Sequence, residues 1–279
     1  MPDEKQPMDS PGHAMNLRVG FYYLLGSLSL MVLSCTLRPW GLIAIWPGIS
    51  LTVVAAGYFG AGVGIYGKRN GHLPRWRRML LAPVLFGQWL SWRHYAKRSR
   101  AWDKIAEGVW LGRVLTQPEA QEAIEKGVTA VLDVTGEFSA PRAFREIGPS
   151  PSSMNPTRRA HFSEAHPNDD NDPIAPKPSS GAYLNIPILD LTSPSDAQLS
   201  KAIEFINTHI AQPGVVYVHC KAGYSRSAAV VGAWLISSGQ ASSPAAAIEL
   251  LKQKRPGIIL RSEAVNAIKR WAKWPDRAP

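Results

Sequence analysis

Two long stretches without charged side chains lie near the start of the chain. Residues 19–37 form the first and residues 39–67 the second. Each is long enough to cross the hydrocarbon core of a membrane as a helix. Trp46 and Tyr58 lie in the second stretch where the interface anchors of membrane helices are commonly found. The pattern therefore predicts two transmembrane helices within residues 17–67.

The first apolar stretch could instead be a cleaved signal peptide. A polar tail, residues 1–16, precedes it and contains Asp3 and Glu4, and the second apolar stretch follows at once. Both features argue against cleavage. We predict that the two helices form a hairpin that turns at Arg38 and Pro39.

Positive charge is concentrated directly after these stretches. Residues 68–104 contain ten Lys or Arg side chains against Asp103 alone, which gives +9 of the formal net charge of +10. Positive residues beside a membrane span stay in the cytosol, so this segment and both chain ends are predicted to be cytoplasmic. Its position next to a span favours contact with anionic lipid headgroups over nucleic acid binding.

A third apolar run, residues 79–92, lies inside the basic juxtamembrane segment, residues 68–101. It is short for a spanning helix, and Pro83 and Gly87 interrupt it. We predict an interfacial or re-entrant segment here. The expected location is a bacterial inner membrane, with the rest of the chain in the cytosol.

From Trp102 onward the pattern alternates between strands and helices. Strand patterns occur at residues 102–112, 128–134, 183–189 and 215–219, and helix patterns at residues 118–126, 196–210, 225–237 and 244–254. Such alternation is typical of an α/β domain with a mixed, mostly parallel sheet flanked by helices, predicted over residues 102–274. A Pro-rich insertion at 141–180 is predicted to be a loop.

The chemistry is concentrated where the strand at 215–219 runs into a short loop and a helix. Backbone amides at such a junction bind anions. Phosphate fits best, because Arg226 follows Cys220 by six residues and can return across the loop to grip two oxygens. Gly223 permits the positive φ or close approach that a tight loop needs. The predicted phosphate-binding residues are Lys221, Ala222, Gly223, Tyr224, Ser225 and Arg226.

Cys220 is the predicted nucleophile. A helix start, loop amides and a guanidinium all favour the thiolate, which would attack phosphorus to give a cysteinyl-phosphate without a metal. Asp190, at the end of a strand, is the predicted general acid and later general base, with Asp196 as its rival. Ser227 is expected to hydrogen-bond the thiolate, and His219 to orient the loop rather than to titrate.

The two cysteines of the chain, Cys35 and Cys220, lie far apart in the sequence, so no disulfide framework is expected. A reducing compartment fits this composition, and a catalytic thiolate requires one. A single Cys after a strand is usually a small buried hydrophobe. The glycine and arginine that follow Cys220 favour the catalytic interpretation instead.

HCKAGYSRS, residues 219–227, resembles the HCxxGxxR[ST] signature of protein tyrosine phosphatases, specifically the dual-specificity group. The resemblance continues through IAEGVWLG, AVLDVTGE, NIPILD and RPGI, and covers roughly residues 102–271. It implies a cysteine-phosphatase fold with a five-stranded sheet and no cofactor. The family's nucleophile, arginine and acid fall on Cys220, Arg226 and Asp190. The insertion at 141–180 departs from the family pattern.

Two substrate classes follow from the resemblance together with the predicted membrane anchor. The first is a phosphoprotein, dephosphorylated at phosphotyrosine, phosphoserine or phosphothreonine. The alternative is a phospholipid headgroup such as phosphatidylglycerophosphate or a phosphoinositide, which the basic segment and Lys221 favour. A phosphate-binding module without catalysis is disfavoured because both the nucleophile and the arginine are present.

Overall fold

A five-stranded sheet forms the centre of the computed structural model of the protein, which describes residues 16–36, 41–147 and 181–273. The strand order is β1-β2-β5-β3-β4. The strands are β1 (Trp102–Ala106), β2 (Val109–Arg113), β3 (Val128–Thr135), β4 (Ala182–Ile188) and β5 (Val215–Cys220). The β1–β2 pair is antiparallel and the other pairs are parallel. The predicted mixed, mostly parallel sheet is confirmed.

Helices cover both faces of this sheet and precede it. They are α1 (Leu17–Thr36), α2 (Leu42–Ala56), α3 (Arg75–Leu80), α4 (Ala82–Ala96), α5 (Gln117–Glu125), α6 (Arg142–Glu146), α7 (Asp196–Ile210), α8 (Arg226–Ser237), α9 (Pro244–Lys254) and α10 (Ser262–Trp271). Side chains alternate across a strand. Val216 and Val218 of β5 therefore pack with α7 to α10, whereas Tyr217 faces the α5–α6 side.

The ends of three parallel strands meet at one edge of the sheet. β5 lies between β2 and β3, and Cys220 is its last residue. Glu137 follows β3 and Asp190 follows β4 on the same edge. Ligands of α/β sheets bind at the carboxyl ends of the strands, so this edge is where a site is expected.

The N-terminal segment forms a helical hairpin, α1 and α2. Two helical stretches, Leu17–Thr36 and Leu42–Tyr66, are long and apolar enough to cross a membrane. Ser27 Oγ donates a hydrogen bond to the carbonyl of Gly48 at 2.8 Å and lies 2.7 Å from Thr52 Oγ1, which ties the two helices together. The predicted turn at residues 38–39 and the polar tail up to residue 15 lie outside the described residues.

The second apolar stretch is not a uniform α-helix up to residue 67. α2 ends at Ala56, and a π-helical turn (Gly57–Ala61) and a 3-10 turn (Gly62–Tyr66) follow. The change of direction occurs at Gly60, whose φ of 130° is open to glycine and unfavourable for other residues. The buried side chain of Tyr66 belongs to the same apolar cluster as Leu189 of the α/β part.

Pro83 and Gly87 do not break the third apolar run in the way predicted. Pro83 stands in the first turn of α4, where a missing N–H costs nothing, and the helix continues through Gly87. Phe86 and Leu90 on α4 are exposed. An exposed apolar face agrees with an interfacial position.

The prediction of a loop over 141–180 is wrong for its first residues. Residues 142–146 form α6, and Phe144 is fully buried against Tyr217. Burial of this aromatic side chain stabilises a short helix that the local proline content hides. Residues 148–180 lie outside the described part of the chain.

The basic segment does not present all of its charges to solvent. Lys68 Nζ lies 2.6 Å from Asp133 Oδ2 with both side chains 1% exposed, and it donates to Thr135 at 3.0 Å. Arg77 donates to the carbonyl of Ile65 at 2.6 Å. These two residues are therefore not headgroup ligands, as the sequence had suggested for the whole segment. The other eight Lys and Arg side chains are exposed.

Candidate active site

The predicted anion loop connects β5 to α8. Cys220 ends the strand, Arg226 begins the helix, and both side chains are 3% exposed. They line one pocket of about 200 Å³. The loop residues on its wall are Lys221, Ala222, Tyr224 and Ser225, and the residues from other elements are Ser91, Tyr95, Asp190, Leu191, Ile259 and Arg261.

Glycine at position 223 is required for the shape of the loop. Gly223 has a φ of 71°, and a Cβ there would lie 2.6 Å from the backbone of Gly112. Arg255 packs behind the same turn. Its Nε donates to the carbonyl of Gly223 at 3.1 Å, and its Nη1 donates to Asp103 at 2.7 Å. Arg255 thus holds the loop to the sheet.

The Cys220 thiol is shifted toward the thiolate. Burial raises its pKa, but the Arg226 guanidinium, the hydroxyl and backbone amide of Ser227 and the backbone amide of Tyr224 outweigh burial, so the pKa lies below its ordinary value. Ser227 Oγ donates to Sγ at 3.1 Å. A thiolate is the reactive form of cysteine.

Arg226 is held in place by a buried carboxylate. Its Nη1 and Nη2 donate to the two oxygens of Glu137 at 3.0 and 2.6 Å, and Nη1 also donates to the carbonyl of Ile188 at 2.9 Å. Such a two-pronged pair fixes the plane of a guanidinium. Arg226 Nη2 lies 3.2 Å from Asp190 Oδ1, so the guanidinium also reaches the predicted acid.

Asp190 lies between two cations. Lys221 Nζ donates to its Oδ2 at 2.6 Å and to Gln88 Oε1 of α4 at 2.9 Å. Burial raises the pKa of Asp190, but Arg226 and Lys221 outweigh burial and lower it to about 2. The carboxyl group is therefore ionised in this arrangement.

The N-terminal helices hold the backbone beside Asp190. Tyr58 Oη donates to the carbonyl of Asp190 at 2.9 Å, and Asn16 Nδ2 donates to the carbonyl of Leu191 at 2.9 Å. Leu191 has a φ of 58°, which is unusual for a residue other than glycine. Contacts from residues far away in the sequence keep this turn in place.

The rival acid lies elsewhere. Asp196 is in the first turn of α7 and pairs with Arg270 at 2.7 Å, and it is not part of the pocket wall. His219 is buried, its ring stacks on Tyr217 with centroids 5.4 Å apart, and burial lowers its pKa. It is therefore a neutral group within β5. Asp133, which lies 3.9 Å from His219, is part of the buried pair with Lys68.

Sequence reasoning missed several residues that shape this site. Glu137 and Arg255 lie inside the TGE and RPG segments that carry the family resemblance, but nothing in those segments indicates which side chains they contact. Gln88 and Tyr95 come from the segment interpreted as a membrane contact. The ring of Tyr95 meets that of Tyr224 edge-on, with centroids 5.8 Å apart.

Parts of the chain are similar in sequence to known proteins. The family model for the catalytic domain of dual specificity phosphatases matches residues 152–273. The mouse phosphatidylglycerophosphatase and protein-tyrosine phosphatase 1 is 38% identical over 91 residues, which are 32% of this chain and 47% of that protein. The mouse dual specificity protein phosphatase 19 is 40% identical over 77 residues, 27% of this chain and 34% of that protein.

A crystal structure of PTPMT1 in complex with PI(5)P superimposes with a TM-score of 0.45 and 22% identity, covering 62% of this chain and 96% of that chain. This chain spans less than half the length of the curated mouse relatives that it matches. The Cys220 loop lies within the part that matches the family model. Over residues 152–273 the chain is thus similar to the catalytic domain of dual specificity phosphatases.

Proposed function

We propose that the protein is a cysteine-dependent phosphomonoesterase anchored in a membrane by α1 and α2. The main support is the state of the Cys220 thiol. Its pKa is lowered, and it lines one pocket together with the buried Arg226. A thiolate beside a fixed guanidinium can attack a phosphorus atom whose oxygens the guanidinium binds. No step of this chemistry requires a cofactor.

In the first step, the Cys220 thiolate attacks phosphorus opposite the leaving oxygen. The S–P bond forms, the P–O bond to the leaving group breaks, and Asp190 gives its proton to the departing oxygen. Arg226 and the loop amides bind the three other phosphate oxygens, where negative charge is stabilised.

In the second step, the Asp190 carboxylate takes a proton from a water molecule. The water oxygen attacks phosphorus, the S–P bond breaks, and inorganic phosphate leaves. Ser227 Oγ, 3.1 Å from Sγ, stabilises the thiolate that departs. His219 supports the loop through the backbone of β5.

Asp190 must carry a proton when the leaving group departs, although its pKa is about 2 in the structure. A bound phosphate draws Lys221 and Arg226 toward its own oxygens and places negative charge beside Asp190. Both effects raise the pKa of this carboxyl group. Substrate binding therefore favours the protonated form of Asp190 that the first step requires.

The substrate is either a phosphoprotein or a phospholipid headgroup. Relatives named for each activity support both: a dual specificity protein phosphatase, and phosphatidylglycerophosphate phosphatases of mouse and Arabidopsis thaliana. The two apolar helices and the eight exposed basic side chains of residues 69–104 favour an integral membrane protein of a bacterial inner membrane, with the α/β part on the cytosolic side.

The acid assignment predicts a specific change in pH dependence. Full-length protein in detergent is expected to hydrolyse an aryl phosphate in the presence of a metal chelator. Asp190→Asn should lower kcat by about 10²–10³-fold, more for alkyl than for aryl phosphates, because poor leaving groups need the proton most. The fall in kcat as pH rises, which reports loss of that proton, should disappear in the variant.

Asp196→Asn is the matched control, since Asp196 pairs with Arg270 outside the pocket. It should keep the pH profile of the unmodified protein. If Asp196→Asn instead loses the alkaline limb and Asp190→Asn keeps it, the acid is misassigned. In both variants kcat/KM should still rise as pH increases through the pKa of Cys220, which lies below its ordinary value, because the thiolate is the nucleophile.

A further inference from the structure

A second cavity adjoins the catalytic pocket on the side of the N-terminal helices. It has a volume of about 400 Å³. Its apolar wall is formed by Tyr23 of α1, Pro47 and Leu51 of α2, and Pro83 and Val84 of α4. We call this cavity the helix groove. Its wall comes mostly from residues that precede the part of the chain matched by the family model.

The helix groove and the catalytic pocket adjoin each other. Ser91, Asp190, Leu191 and Lys221 line both. Lys221 stands at the junction, where it bonds to Gln88 on one side and to Asp190 on the other. A molecule with its phosphate beside the catalytic cysteine can therefore extend past Lys221 into the groove.

The wall at this junction is held in place by hydrogen bonds rather than by the local sequence. Tyr58 and Asn16 bond to the carbonyls of Asp190 and Leu191. The same turn therefore carries the proposed acid on one side and lines the groove on the other. The N-terminal helices thus form part of the site as well as the anchor.

The chemistry of the groove distinguishes between the two substrate classes. A polypeptide entering an apolar cavity would leave backbone N–H and C=O groups without partners, which costs free energy for each group. An acyl chain carries no such groups, and its burial is favourable. The outer faces of α1 and α2 expose apolar side chains such as Phe21 and Ile43, as expected of surfaces that contact lipid.

We propose that the helix groove binds the glycerol and proximal acyl carbons of a membrane phosphomonoester lipid whose phosphate lies at Cys220. This inference rests on the proposed phosphatase function and specifies its substrate class. Lys221 and Gln88 then contact the polar headgroup region at the junction. Soluble phosphopeptides reach the catalytic pocket without using the groove.

The proposal can be tested by placing a larger side chain in the groove. Gly87 lines it, and among the described residues no atom beyond its chain neighbours and the adjacent backbone of α4 lies within 4 Å of the position that a Cβ would take. Gly87→Leu adds a side chain there and raises helix propensity, so α4 should fold. Ser29→Leu is the matched control, because Ser29 is exposed on α1 and its hydroxyl bonds to the carbonyl of Leu25 in the same helix.

Full-length proteins would be assayed in identical detergent micelles on dioctanoyl phosphatidic acid, glycerol 3-phosphate, an aryl phosphate and a phosphotyrosine peptide. For Gly87→Leu, kcat/KM on phosphatidic acid relative to the aryl phosphate should fall by about 10-fold or more, as expected for a filled apolar subsite. Gly87→Ala should give an intermediate value of this kcat/KM ratio. Ser29→Leu should give the same ratio as the unmodified protein. The kcat/KM of the unmodified protein should also be higher on phosphatidic acid than on glycerol 3-phosphate.

The inference is overturned if Gly87→Leu leaves that ratio unchanged, or if glycerol 3-phosphate is as good a substrate as phosphatidic acid. Hydrolysis of the phosphotyrosine peptide without hydrolysis of phosphatidic acid would assign a protein substrate instead. Absence of aryl phosphate hydrolysis by the unmodified protein would defeat the proposed function itself. The aryl phosphate assay therefore distinguishes a protein without phosphatase activity from an active phosphatase whose groove does not bind lipid.

Discussion

Cys220→Ser should abolish turnover while leaving oxyanion binding intact. Replacing the thiol with a hydroxyl removes the nucleophile, since an alcohol is not ionised by the surroundings that ionise a thiol. Loss of a covalent nucleophile lowers kcat on the order of 10⁶-fold. Arg226, Glu137 and the loop amides remain. Inorganic phosphate should therefore still raise the midpoint of thermal unfolding of the variant.

Cys35→Ser provides the matched control. Cys35 is exposed on α1, remote in sequence from the pocket and not part of its wall. This variant should retain the activity of the unmodified protein on an aryl phosphate. Turnover by Cys220→Ser at the normal rate, or loss of turnover in Cys35→Ser, would show that the nucleophile has been assigned to the wrong sulfur.

Arg226→Lys is expected to lower kcat more than any substitution other than Cys220→Ser, although it preserves the positive charge. An ammonium group cannot donate two parallel hydrogen bonds to Glu137 and still reach the phosphate oxygens. Loss of one preorganised donor to a transition state costs about 10²–10³-fold in kcat. We expect a loss in this range or above it, together with a higher pKa for Cys220, because the guanidinium whose charge lowers that pKa is replaced.

The pKa of Cys220 can be followed by the pH dependence of its alkylation. Arg142→Lys is the control for this substitution, because Arg142 pairs with Glu146 on the surface, where an ion pair contributes little. It should leave both the rate and the alkylation profile unchanged. An Arg226→Lys variant with normal kcat and an unchanged profile would exclude the proposed role of the guanidinium.

Local patterns predicted the sheet and the loop well. Strand alternation, the Gly stop after α5 and the helical spacing in α7 are signals contained within one element. The position of Arg226 six residues after Cys220 is likewise a local relation. Gly223 could be predicted because its positive φ follows from the tightness of the loop itself.

Relations between distant segments could not be predicted in this way. Glu137 reaches Arg226 because β3 and β5 are neighbours in the sheet, and nothing in the sequence around Glu137 encodes that order. Lys68 belongs to a run of basic residues and has the composition of a lipid contact, yet it is buried against Asp133. A single sequence gives the charge of a residue but does not identify its partner.

The N-terminal helices illustrate the same limit with a functional consequence. Their hydropathy predicts an anchor, and α1 and α2 form the predicted hairpin. Their contacts with Asp190 and Leu191 add a role that hydropathy does not indicate. Because Tyr58, Asn16 and Gln88 reach the site from before residue 102, we expect activity assays to require the full-length protein.

The cysteinyl-phosphate mechanism is tested most directly by identifying the residue that becomes phosphorylated. Full-length protein would be mixed with a ³²P-labelled phosphomonoester, quenched within a turnover, digested and analysed by mass spectrometry. We predict phosphate on the sulfur of Cys220, and none on that peptide in Cys220→Ser. Turnover without any phosphorylated intermediate, or phosphate on another residue such as Ser227, would exclude Cys220 as the nucleophile.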